Sequence, residues 1–104
     1  MKKIAILCRS APGSKRRLAE EALLLAAGLA ATGRLRVELI LTGGGLLLLE
    51  PEFSGSPETW NSLLSPNSRI LIPKEATLPA GAPQVERADN PEAAAKTADW
   101  VLRF

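Results

Sequence analysis

Histidine is absent from this 104-residue chain, and cysteine occurs once, at Cys8. Without histidine and without a cysteine pair, the chain cannot build a zinc or haem site of its own. No cysteine–histidine couple exists to activate a thiol nucleophile. A lone cysteine forms no internal disulfide, which fits a reducing compartment. Aromatic residues are scarce at 4%, so the core must be made of Leu, Ala, Ile and Val. Charge of one sign is also scarce. Thirteen basic against 11 acidic residues leave a net charge of +2, too little to indicate direct nucleic-acid binding. No apolar run reaches the ~20 residues of a membrane span. Leu18 to Ala31 is interrupted by Glu20 and Glu21, and the run Ile4 to Cys8 is too short for a signal-peptide core. No membrane association is expected, and a cytoplasmic location is.

What is present is a packed globule by composition, 46% hydrophobic. No linker or internal repeat divides it, so one domain over residues 1–104 is expected. Lys3 to Cys8 reads as a buried strand, closed by the turn cluster Ser10-Ala-Pro-Gly-Ser14. Ser14 is the expected N-cap of a helix beginning at Lys15, with Leu18, Ala22, Leu25 and Leu29 as its apolar face. Gly28 inside it suggests close packing on a sheet, and Gly33 a C-terminal cap. Val37 to Leu41 is a second buried strand, giving a βαβ unit.

Three glycines follow, then Leu46 to Leu49, too short for an independent helix and too apolar for a free loop. Ser56-Pro57-Glu58 has the form of a capped helix start, with Trp60, Leu63 and Leu64 as the apolar face. Arg69 to Ile72 is a third strand and Thr77 to Pro83 a Pro/Gly-rich loop. Gln84 to Arg87 suits a short edge strand. Pro91 to Thr97 suits a helix capped by Asp89 or Asn90, and Trp100 to Phe104 a last strand. Alternating strands and helices predict a three-layer α/β fold with a mostly parallel sheet. Ligands of such sheets gather beyond the C-terminal strand ends, where Cys8 to Ser14 meets Thr42 to Gly45.

Gly43-Gly44-Gly45 has Leu48 where the dinucleotide fingerprint needs glycine, and no acid ~20 residues on, so a structural turn is the simpler reading. Cys8 is followed at the sixth position by Ser14 and not by the arginine of a phosphatase loop. Gly13-Ser14-Lys15 is only a fragment of a P-loop. An anion cradle built on Ser10, Gly13, Ser14 and Lys15 is a candidate, because amides at a helix start bind anions. The basic Lys15, Arg16 and Arg17 would oppose the helix dipole there and favour an anionic partner. Cys8 reads first as a small buried hydrophobe. As a persulfide carrier it would draw on Arg9 and a nearby helix N-terminus to lower its pKa. Leu46, Leu47, Leu48, Leu49, Trp100 and Phe104 are core by default and subunit-interface candidates if exposed.

Met1-Lys-Lys-Ile-Ala-Ile-Leu with Ser10-Ala-Pro-Gly13, then Gly43-Gly-Gly-Leu-Leu-Leu-Leu-Glu-Pro51, and finally Asp99-Trp-Val-Leu-Arg-Phe104, are similar to the DsrE-superfamily sulfur-relay subunits. The nearest likeness is to the TusC/DsrF branch. The resemblance implies a DsrE/flavodoxin-like α/β domain without a cofactor that assembles with paralogous DsrE/TusD-like and DsrH/TusB-like subunits, or with itself. Its members pass persulfide sulfur between cysteines of partner subunits, for tRNA wobble-uridine 2-thiolation or dissimilatory sulfur metabolism. The resemblance further implies a subunit without the carrier cysteine: Ile72-Pro-Lys-Glu-Ala76 has none, and Cys8 lies elsewhere. Two departures are Thr42-Gly43-Gly44 in place of the family's Asp-Gly, and a shorter Glu52 to Ser68. They leave a stand-alone homo-oligomer open. Alternatives are a Cys8-dependent sulfurtransferase and a small anion- or nucleotide-binding module using Ser10 to Lys15.

Overall fold

A computed structural model describes residues 1–53, 55 and 57–104. The expected capping role of Ser56 lies outside the described residues. The elements are β1 (Lys3–Cys8), α1 (Leu18–Ala31), β2 (Arg36–Leu41), a first 3-10 helix (Gly43–Leu49) and α2 (Pro57–Leu63). Then follow β3 (Ser68–Pro73), β4 (Glu86–Ala88), a second 3-10 helix (Pro91–Thr97) and β5 (Trp100–Arg103). The five strands form one sheet in the order β4-β3-β2-β1-β5, and every pairing is parallel. This is the three-layer α/β arrangement with a parallel sheet that the alternating elements predicted.

Strand alternation sorts the side chains into two unequal layers. Ile4, Ile6, Cys8, Val37, Leu39, Leu41, Ile70 and Ile72 face one side, where α1, α2 and the first 3-10 helix cover them. Each fully buried Ile or Leu there stabilises by roughly 1.5–3 kcal/mol. Ala5, Leu7, Ile40 and Leu71 face the other side, covered chiefly by Ala95 of the second 3-10 helix. The first layer is thick and branched; the second is thin and built largely from alanine.

Helix α1 departs from the sequence expectation in start, face and glycine. It begins at Leu18 and not Lys15. Arg17, at φ 53°, occupies the cap position in the left-handed region, and Ser14 makes no cap; its carbonyl accepts the Arg17 N–H at 3.2 Å. The basic triplet therefore precedes the helix, and the first turn carries Glu20 and Glu21, which suit the dipole. The buried face is Ala19, Ala22, Leu23, Ala26, Ala27 and Ala30, while Leu24 and Leu25 are exposed. Alanines bring the helix axis close to the sheet, and the wider leucines are turned outward. Gly28 has no atom within 4 Å of where a Cβ would stand, so it does not mark close packing. Gly33, at φ 70°, does end the helix as expected, its N–H bonded to Ala30 O at 3.2 Å. The Pro91–Thr97 segment is a 3-10 helix whose cap position is Asn90, without a side-chain bond.

Candidate functional site

The loop after β1 and the first 3-10 helix meet at the C-terminal end of the sheet. Two of the three glycines there serve close approach and not a phosphate turn. A Cβ on Gly45 would overlap the Cys8 carbonyl oxygen and stand 2.9 Å from its carbonyl carbon and 3.3 Å from its Sγ. A Cβ on Gly44 would stand 2.9 Å from Ala11 N and 3.0 Å from Arg9 O. Only Gly43 uses a positive φ, 52°. Thr42 N–H bonds Cys8 O at 3.1 Å, and Gly45 N–H bonds Thr42 O at 2.9 Å, so the glycine segment is clamped onto the end of β1.

Cys8 is consequently sealed, with no accessible surface. Its thiol donates to Ser10 O at 3.6 Å. Burial pushes its pKa up, against the smaller lowering effect of the Ser10 contact, and Glu20 raises it further. The expected activation by Arg9 does not occur. The Arg9 guanidinium turns to the second 3-10 helix, where its Nε donates to Glu92 Oε1 at 3.1 Å.

The anion cradle is also changed by the fold. Gly13, Ser14 and Lys15 are exposed and Ser10 is half-buried. The helix amides start three residues beyond Lys15 and so do not converge on this loop. The Gly13 N–H already donates to Glu20 Oε2 at 2.9 Å. That bond is the main reason the Glu20 carboxyl is held below its ordinary value. A carboxylate of the protein thus holds the amide that an external anion would need.

The interface candidates separate in the same way. Leu48 and Leu49 are buried in the protomer's own core and have no surface to offer a partner. A 3-10 helix turns once in three residues, so Gly45 and Leu48 share its inward face with Leu49 beside them, which the sequence run alone did not reveal. Leu47 (42% exposed) and Trp100 (50%) face solvent, while Leu46 and Phe104 are half-buried against the main core. The loop after β3 bears no cysteine. It is tied down by Arg87, whose Nη1 donates to Lys74 O at 3.0 Å and to Ala76 O. An apolar cavity of about 440 Å³ lies nearby, lined in part by Leu49, Pro51, Trp60, Leu64 and Pro83.

Sequence reasoning missed one charged feature. Glu38, in the middle of β2, is buried between Lys3 of β1, at 2.9 Å, and Arg69 of β3, which in turn pairs with Glu86 of β4 at 2.9 Å. A single acid inside the apolar run Val37 to Leu41 was the available signal. Among the described residues no three His, Cys, Asp or Glu side chains converge to hold a metal ion. No helix among them is long and apolar enough to cross a membrane.

No family model and no curated protein matches the chain. A solved structure does. The crystal structure of the ychN protein from E. coli superposes with a TM-score of 0.71 over 100% of both chains, at 24% identity. This chain has the fold of ychN. The superposition runs from end to end, so the overall fold is one already seen by crystallography.

Proposed function

We propose that this chain is a non-catalytic subunit of an intracellular sulfur-relay complex, serving tRNA wobble-uridine 2-thiolation or dissimilatory sulfur metabolism. Its partners are sister chains of the DsrE/TusD-like and DsrH/TusB-like kinds, which carry the sulfur, or further copies of itself. The observation that carries this reading is the state of Cys8. The chain's one thiol is sealed under Gly45, with its pKa raised by burial, at the opposite extreme from the exposed, low-pKa thiolate a carrier requires. The terminal motifs shared with the TusC/DsrF branch, and the fold shared with ychN, supply the context. The Cys8 sulfurtransferase loses support from that burial, and the anion-binding module from the Glu20–Gly13 bond.

Co-purification tests the proposal. A tagged chain expressed in its native cells is expected to bring down a small α/β chain with a cysteine in its middle loop. That sister chain, and not this one, should gain the mass of a sulfur atom when loaded with a sulfur donor. Sulfur appearing on Cys8, with no cysteine-bearing chain captured, would overturn it.

A further inference from the structure

We infer that the outward face of α1 is a self-complementary docking surface, on which a second copy of this chain lays its own α1 antiparallel across a two-fold axis at Gly28. The inference rests on the proposal that this chain works as an assembled subunit, and names the partner of one surface.

The helix carries wide apolar side chains on the side away from the sheet. A helix lying on a sheet normally turns a polar face to water, and one that is apolar all round belongs in an interior. The inward face of α1 is Ala19, Ala22, Leu23, Ala26, Ala27 and Ala30. At about 100° per residue, the opposite face is centred on Glu21 and Gly28. Leu24 and Ala31 run along one flank of that centre, and Leu25 and Thr32 along the other. All six residues are exposed, Leu24 at 62%. Glu21 is the only charged one among them. Gly28 has no atom within 4 Å of where a Cβ would stand, so the surface is notched between the two leucines.

The notch and its flanks select the geometry. A contact between identical surfaces is isologous, and a two-fold axis crossing the helix sets the copies antiparallel. With Gly28 opposite Gly28, no side chain holds the helices apart, and their axes approach to the short end of the usual 8–10 Å range. Leu24 then lies over Thr32 of the second copy and Leu25 over Ala31, a large side chain on a small one at each place. The same register brings Glu21 to the end of the second copy's helix, beside Arg34. Glu21 and Arg34 are both exposed, and neither has an ion-pair partner among the described residues. An acid at one end of an apolar stripe and a base at the other are matched by an antiparallel copy of the same stripe. Moving the axis one turn, to Leu24, sets leucine against leucine and takes Glu21 to Ala27, away from Arg34.

A contact of one 14-residue helix per copy belongs to the small, reversible class of interfaces. Sedimentation of the purified full chain between about 1 µM and about 1 mM should show a monomer–dimer equilibrium. Leu24→Glu should weaken dimerisation by more than about tenfold. Glu21→Arg faces Arg34 with a like charge at both ends of the contact and should weaken it about tenfold. Glu21→Arg combined with Arg34→Glu should restore it. Under oxidation, Gly28→Cys should cross-link, because its thiols meet on the axis. Glu21→Cys should not, since the two copies of residue 21 stand roughly 21 Å apart along the helices. Slow alkylation of Cys8 itself, read by peptide mass, reports that each variant is folded. A chain monomeric at every concentration, a dimer indifferent to Leu24→Glu, a charge swap that restores nothing, or cross-linking through 21 as readily as through 28 would overturn the inference. A sister chain whose capture is lost with Leu24→Glu, while the isolated chain stays monomeric, would also overturn it. Self-association is read on the isolated chain and sister-chain capture in cells, so either proposal can fail without the other.

Discussion

Cys8 shows how far a residue's surroundings govern its chemistry. Its neighbour in sequence is an arginine, yet the guanidinium is committed to Glu92 and the thiol sits in a dry, glycine-capped corner. Desolvation disfavours the thiolate, and no cation is close enough to offset it. Alkylation of the native chain by a thiol reagent is therefore expected to be slow at pH 8, and to become complete only in denaturant. Rapid native labelling, followed by mass spectrometry, would contradict the burial. Glu20 gives a second test at this scale. Its carboxyl is held below the ordinary 4.5 by the Gly13 N–H, so the folded state favours the charged form. The resulting stabilisation is present above pH 4.5 and is lost as pH falls through the lower, folded value. Glu20→Gln should flatten that acid limb in pH-dependent urea unfolding, leaving the limb above pH 7 unchanged.

The two glycines that interrupt apolar stretches, Gly28 and Gly45, look alike in sequence and are opposite in role. Gly28 sits in a helix interior with open space around it. Gly28→Ala should stabilise α1 by about 1 kcal/mol, the propensity difference between the residues. Gly45 is pressed against the Cys8 carbonyl, where backbone and not a flexible side-chain tip would have to give way. Gly45→Ala should destabilise by at least about 2–3 kcal/mol, as overpacking of a core contact does. Thermal unfolding of the two variants separates the predictions by sign. The elements themselves were legible. The runs Lys3–Cys8 and Val37–Leu41 predicted buried parallel strands, and Gly33 the end of α1, because apolar periodicity and cap chemistry act locally. The face of α1 was not legible. Leucine and alanine both read as apolar, and only the distance between helix and sheet decides which of them fits beneath.

Across the whole molecule the two sheet faces are unequal. One carries the branched core under two α-helices; the other carries alanines and a row of alternating charges, Lys3, Glu38, Arg69 and Glu86, one from each of four strands. The row depends on Glu38, the buried member. Removing it leaves the largely enclosed Lys3 without its carboxylate, while Arg69 keeps only the exposed Glu86. Glu38→Ala should cost about 2–3 kcal/mol, below the full range for a buried pair because Arg69 is 43% exposed. In a chain of this size that lowers Tm by roughly 8–20 °C. A loss under 1 kcal/mol would show the row to be solvated.

Residue identities and their spacing alone determined that this is an α/β chain with parallel buried strands, and that its one thiol has no histidine in the chain to pair with. Those properties follow from residue identities and from spacing along the chain. Only the tertiary structure decided which apolar residues are spent inward, as Leu48 and Leu49 are, and which remain outside, as Trp100 and Leu102 are. It also decided that Glu20 fills the Gly13 amide and that Gly45 seals Cys8. Each of those outcomes is a contact between segments distant in sequence or set by the turn of the backbone, and local pattern carries no information about such distances.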